Sequence, residues 1–315
     1  LLPNAKPLQS RRRTRAFNGE TIEEKELSQI YLVKTKSPRK DSTMQLVSRL
    51  KEIGEVEYAE PNYKVYIMGQ APSSPMQQQY SQPRAGTRAY TTETSDEVIC
   101  ADPSGNPLYS EQWGLQYEGL PELWKKPIIN KKRPVIAILD TGVDITHPDL
   151  VDNIWTKPGT EDEHGYDFIN NTTDIRDYNA HGTHVAGIAA ASNNETGVIG
   201  ANPQALIMPI TVMQSDGTGD VATIAKGIDY AIENGATILN MSFGSYANSQ
   251  TLRQALEKAY QSAVLVAAAG NDGLGIYPEC GNILYKPMYP AAFEFVLGAQ
   301  AISKEGALAG FSNYD

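Results

Sequence analysis

From about residue 107 onward the chain repeats a pattern that few folds accommodate: a short apolar run, a stretch of helical periodicity, then another apolar run. The runs are "PVIAILD", "ALIMPITVM", "GATILNMS", "AVLVAAAGN" and "EFVLGAQAI". They show no alternation of polar and apolar residues, so each needs cover on both faces, as strands of a parallel sheet have. Residues 182–191, 221–234 ("VATIAKGIDYAIEN") and 249–262 fall between them at helical spacing. Strands alternating with helices predict an α/β fold with a doubly wound parallel sheet. In such a sheet the ligand sits beyond the carboxyl ends of the strands. No internal repeat is present.

The first hundred residues are organised differently. Residues 1–28 read as a polar, basic leader. Within 29–68, "QIYLVKT" reads as a strand, and "DSTMQLVSRLKEIG" as a helix with Met44, Val47, Leu50 and Ile53 on one face. Asp41 or Ser42 could cap that helix, and Gly54 could stop it. "EVEYAE" and "YKVYIM" alternate as two further strands, which makes a small α+β unit. Residues 69–106 are rich in Pro, Ser, Gln and Thr and read as a linker to a large domain at 107–315. The net charge is −10. Residues 1–70 carry 13 basic and 9 acidic side chains, so the remainder carries 14 and 28. Nucleic acid is not expected as a partner, because phosphate binding needs a basic footprint. No apolar run reaches the ~18 residues of a membrane span. Two cysteines, Cys100 and Cys280, are too few for a disulfide scaffold and allow either one bridge or two free thiols. The first residues lack the apolar core of a signal peptide.

Three polar residues fall where the sheet rule places a site. Asp140 ends "VIAIL", His181 opens "HGTHVAGIAAA", and Asn271 ends "VLVAAAGN". A carboxylate can fix the tautomer of an imidazole, and the imidazole can then take a proton from a hydroxyl. A side-chain amide can donate to an oxyanion at a tetrahedral carbon. Each residue alone also has an ordinary reading. Asp140 and Asn271 suit turns, and His181 could simply open a helix. A lone "DTG" occurs in aspartic proteases as well, but those need a second carboxylate, and no second D-[ST]-G is present. His181, His184 and Asp140 could instead serve a metal-dependent hydrolase, although a further ligand at motif spacing is missing.

The blocks "AILDTGVDITHPDL", "HGTHVAGIAAASNNETGVIGANP", "ILNMSFGS", "VAAAGNDG" and "YPAAFEFVLGAQA…FSNYD" resemble, in order and spacing, the subtilisin-like serine proteases. The resemblance covers about residues 107–315. It implies a secreted endopeptidase precursor with Asp140 and His181 in the catalytic triad and Asn271 as oxyanion donor. Thr218 and Gly219 of "DGTG", with Ser242, Phe243 and Gly244, would form two substrate-binding strands, between which a peptide adds as an extra strand. Residues 29–68 would be an inhibitory prodomain, an intramolecular partner cut free near Met68–Gly69, with a second cut near Asn106. The loop at 190–200 would hold a structural calcium ion through Asp149 and Asn194, since calcium takes six to eight oxygens. The family's G-T-S-M-A block is absent from these 315 residues. Ser242 and Ser245 fall in a substrate strand and Ser312 in the last loop, so the nucleophile is expected beyond Asp315. The 315 residues alone are then not expected to hydrolyse peptides. A family member without the serine would be a binding module instead.

Overall fold

The apolar runs become the strands of one parallel sheet. The structure, a computed structural model, describes residues 30–34, 40–54, 56–69, 102–126, 132–274 and 286–314, with the backbone of three two-residue strands before them. In chain order the strands are β1 (Lys6–Pro7), β2 (Thr14–Arg15), β3 (Thr21–Ile22), β4 (Tyr31–Leu32), β5 (Lys64–Ile67), β6 (Val135–Asp140), β7 (Tyr166–Asp167), β8 (Leu206–Thr211), β9 (Thr218–Asp220), β10 (Ile238–Met241), β11 (Phe243–Gly244), β12 (Val264–Ala268) and β13 (Leu297–Ala299). The helices are α1 (Lys40–Lys51), α2 (Trp113–Tyr117), α3 (Leu120–Trp124), α4 (His181–Ala190), α5 (Val221–Glu233) and α6 (Gln250–Tyr260).

Six strands pair in the order β13-β12-β10-β6-β8-β7, every pair parallel. This is the doubly wound α/β sheet expected from the alternation. Successive residues of β6 face opposite layers. Ala137 and Leu139 pack with Ile224 and Ile228 of α5 and Leu252 and Leu256 of α6. Ile136 and Ile138 pack with Ala186 and Ala190 of α4. Pro209 sits inside β8 without breaking the sheet, because β7 begins to pair only at Ile210. A proline, which cannot donate, is tolerated where no neighbour asks for its N–H.

The helix starts follow local chemistry. The Asp220 side chain accepts from Thr223 N at α5, and Ser249 accepts from Leu252 N at α6. Helix α4 begins after Ala180, whose φ of 76° is left-handed, and has no such cap. Asp177 serves it instead, accepting from Thr183 N at 2.9 Å.

The first hundred residues depart from expectation. "QIYLVKT" contributes only Tyr31–Leu32, paired antiparallel with Lys6–Pro7 of the leader. Residues 56–60 of "EVEYAE" form no strand. The Glu60 carboxylate meets the start of α6 instead. Within the expected linker Pro103–Gly105 form a 3₁₀ turn capped by Asp102. Most of the expected linker, together with Cys100 and Cys280, lies outside the described residues. Among the described residues no helix is long and apolar enough to cross a membrane.

Candidate active site

Strand β6 delivers Asp140 at its carboxyl end, and α4 opens on His181 directly beside it. Asp140 is fully buried and His181 nearly so. His181 Nδ1 lies 2.7 Å from Asp140 Oδ1, which also accepts from Thr141 N at 2.8 Å. The approach is possible because residue 182 is glycine: a methyl there would overlap the Gly142 carbonyl and meet Asp140 Cβ. Asp177, four residues before the histidine, ties the loop together. One oxygen accepts from Thr141 Oγ1, Asn179 N and Ala180 N, and the other from Thr183 N and Oγ1. Thr141 Oγ1 in turn accepts from Gly182 N.

Burial opposes the imidazolium of His181. It is outweighed by the hydrogen bond and charge of Asp140, with smaller help from the Met68 carbonyl and from Asp177, so the pKa of His181 stands above its ordinary value. Burial pushes the Asp140 carboxyl up, partly offset by His181 and the Thr141 N–H. An imidazole held by a buried carboxylate at Nδ1 keeps Nε2 for proton transfer.

Next to this pair lies a second sheet, built on the strand expected within "YKVYIM". Strand β5, from the first hundred residues, is the middle strand of a three-stranded sheet between β9 and β11. Val65 pairs with Gly219, Tyr66 with Thr218 and Gly244, and Ile67 with Phe243, all antiparallel. Ile67 N donates to Gly217 O at 3.0 Å, and Met68 N to Ser242 O at 2.8 Å. Thr218, Gly219, Ser242, Phe243 and Gly244 thus flank this segment of the chain on its two edges. Gly244 and Gly217 leave room for it: methyls there would press on Met68 Cε and Ile67 Cδ1. The strand ends with the Met68 carbonyl 3.1 Å from His181 Nε2.

The approach to β5 crosses the N-termini of α5 and α6. Glu60 accepts from Ser249 Oγ, Gln250 N and Thr251 N. Asn62 Oδ1 accepts from Ala222 N, and Tyr63 O from Val221 N. Four N–H groups that a helix start leaves without partners are satisfied this way. Sequence reasoning missed Glu60 and Asn62, because their partners stand 158 or more positions away.

Asn271 follows β12 at the same end of the sheet and is exposed. The loop around it is held by Asn313, another residue the sequence did not single out. Ser242 lies between β10 and β11 and accepts from Met68 N through its carbonyl, Ser245 follows β11 and pairs through its backbone with Tyr289, and Ser312 is buried, donating to Asn313 O. His184 is exposed, and both nitrogens of His181 are engaged, which does not favour a metal site built on this pair.

The loop at 192–198 closes over Asp149. Asp149 is buried, and its Oδ2 accepts from Val198 N at 2.9 Å. The Thr196 hydroxyl lies 2.7 Å from both Asp149 Oδ1 and Asn194 Oδ1. Asn106 borders the same loop, its Nδ2 on Asn193 Oδ1, while its Oδ1 is buried without a partner. An all-oxygen set with an orphaned carboxamide oxygen fits a hard divalent cation. Among the described residues no cluster of three or more His, Cys, Asp or Glu forms a metal site, so such an ion would rely on carboxamide and backbone oxygens.

Comparison with known proteins agrees with this geometry. The sequence profile of the subtilase family matches residues 131–315. The thermophilic serine proteinase of Bacillus sp. (strain AK1) is 41% identical over 181 residues, 57% of this chain and 41% of its own. The minor extracellular protease Epr of Bacillus subtilis is 35% identical over 222 residues, 70% of this chain and 31% of its own. Thermitase of Thermoactinomyces vulgaris is 35% identical over 214 residues, 67% of this chain and 70% of its own. The chain therefore spans less than half the length of the first two. A parallel sheet presenting a buried Asp–His pair beside a peptide-gripping cleft, matched over more than half its residues by one family profile, means that this chain belongs to the subtilase family.

Proposed function

We propose that the chain is part of a serine endopeptidase precursor, held inactive by its own residues 29–68. One observation carries this reading: β5 occupies the cleft as a peptide substrate would, and its last carbonyl stands 3.1 Å from His181 Nε2. In the proposed mechanism Asp140 holds His181 in the tautomer that leaves Nε2 able to accept a proton, and stabilises the cation that follows. Nε2 takes that proton from a serine hydroxyl lying beyond residue 315. Asn271 donates its side-chain N–H to the oxyanion formed at the attacked carbonyl. A protein substrate pairs with Thr218–Gly219 and Ser242–Gly244 through main-chain bonds once residues 64–68 have left. The first cut falls at Met68–Gly69 and a second near Asn106. Secretion is part of this reading, and it draws on the relative whose name says extracellular.

Calcium belongs to the same proposal as a structural ion. Asp149 and Asn194 would hold it, with Asn106 Oδ1 as a further oxygen, and its chemistry is charge neutralisation that locks the 192–198 loop.

The test is the protein carried through its serine block. N-terminal sequencing of its products should find a new terminus at Gly69, and Asp140→Asn should lower peptidase activity by about 10⁴. A first terminus inside "NPLYSEQWGL", with residues 1–68 never released, would sink the proposed cleavage. A folded protein that never cuts itself would be a binding module.

A further inference from the structure

Asn271 is exposed, and an oxyanion donor works only if its amide is held in place before charge develops. Its own loop, Ala269 to Leu274, turns sharply after β12, with Gly270 at φ 111°. Four of the bonds that hold this turn come from one residue far along the chain. The Asn313 carboxamide is completely buried. Its Oδ1 accepts from Asp272 N and from Leu274 N, both at 3.0 Å. Its Nδ2 donates to Ala269 O at 3.0 Å. Its backbone N–H donates to Gly270 O at 2.9 Å. The two flanking residues add Gly273 N to Phe311 O and Tyr314 N to Leu274 O. Positions 269, 270, 272 and 274 are each tied to Asn313, and 273 to Phe311, so Asn271 stands between anchored neighbours on both sides. Asn313 is itself fixed, since Ser312 Oγ donates to its carbonyl and accepts from Ala301 N.

We propose that Asn313 is a positioning residue for catalysis: its buried carboxamide clamps both sides of the loop so that the Asn271 side chain is held towards the reacting carbonyl. Only a carboxamide of this length suits the place, because the site needs one oxygen shared by two N–H groups and one N–H aimed at a carbonyl. The inference rests on the assignment of Asn271 as the oxyanion donor.

The experiment is a double-mutant cycle in the protein that carries its serine, with kcat referred to active sites counted by a burst titrant. Asn271→Ala should lower kcat about 10²–10³-fold with KM little changed. Asn313→Ala should lower kcat on the order of 10- to 100-fold, also with KM little changed, as a misplacement near 1 Å does. Adding Asn313→Ala to Asn271→Ala should cost less than about twofold, because the clamp then has nothing to position. Asn313→Asp keeps the oxygen shared by Asp272 N and Leu274 N but loses the donor to Ala269 O, so its kcat should lie between those of Asn313→Ala and the wild type. Should Asn313→Ala not fold, Asn313→Ser completes the same cycle, being polar but too short to reach both amides. A wild-type kcat in Asn271→Ala would remove the underlying assignment. If Asn271→Ala is impaired, the inference is overturned by either of two results: Asn313→Ala losing only Tm, or losing the same factor with and without Asn271.

Discussion

Two neighbouring pieces of the first hundred residues behave in opposite ways. Helix α1 is amphipathic in sequence, yet it buries only Val47, and Met44 and Ile53 stand 47% and 41% exposed. The tail that follows, from Tyr58 to Met68, is irregular until β5, yet Val65 is completely buried in the core of the large domain. Glu60, Asn62 and Tyr63 serve two helix starts, and β5 pairs on both edges. A helix with good local periodicity thus contributes little burial, while a segment with poor local structure is anchored by long-range contacts. Periodicity says which residues could share a face. It does not say that a partner waits for that face.

The contrast can be broken most strongly at Val65. Val65→Arg puts an unpaired charge into the core, at a cost of several kcal/mol. Amide hydrogen exchange should show Ile67 and Met68 losing at least about 100-fold of their protection, with β6 and β8 unchanged. Retained protection would mean that the tail is held by something other than the cleft.

A smaller effect is expected at Glu60. Glu60→Ala leaves Gln250 N, Thr251 N and the Ser249 hydroxyl without their acceptor, worth about 1.5–3 kcal/mol for hydrogen bonds to a charged group. Protection of the β5 amides should then fall about 10- to 100-fold. Val65 should keep its burial, so fluorescence or near-UV signals of the large domain should not move.

Protonation of His181 gives a few-fold effect. With Nδ1–H on Asp140, Nε2 can donate to the Met68 carbonyl only as the imidazolium. The Met68 carbonyl is one of the groups that raise the pKa of His181, against the burial that lowers it, and the docked tail is expected to raise it on balance. The sign follows: the bond contributes fully below the pKa of the undocked histidine and is lost as pH rises through the raised, docked value. An NMR titration of His181 should therefore find a higher pKa in the wild type than in Val65→Arg. The groups facing the imidazole, Asp140 and Asp177, are common to both. Equal values would remove the Met68 bond from the account.

The smallest effect belongs to α1. Met44→Lys alters an exposed side chain and should change stability by no more than about 0.5 kcal/mol. Denaturant midpoints and exchange at β5 should both stay put. A clear loss would show that α1 packs on something in the intact protein.

Much of the site was legible because it is built from local junctions. Asp140 ends an apolar run and His181 opens a helix, so the sheet rule alone puts both at one end of the strands. Asp177 stands four residues before the histidine, and a carboxylate preceding a helix start was the available signal. Asn313 lay within a block matched to the family, but nothing local marks a buried carboxamide that braces a loop forty residues earlier. The misreading of "EVEYAE" has the same origin. Its alternation is real, but Glu60 is drawn to the bare amides of α6, whose position depends on the whole sheet.

The sequence by itself determined the layers of the large domain and the chemistry at its strand ends. Hydrophobic periodicity, capping residues and the limits on proline and glycine act within a few residues and are written into the chain locally. Only the tertiary structure decided how the tail before Met68 is anchored and what holds the loops around the cleft. Strand β5 between β9 and β11, Glu60 and Asn62 on the helix starts, and Asn313 under the Asn271 loop all join positions from about forty to nearly two hundred residues apart. A hydrogen bond between such positions leaves no period in the sequence. It exists only because the packed core holds the donor and the acceptor within 3 Å or so of each other.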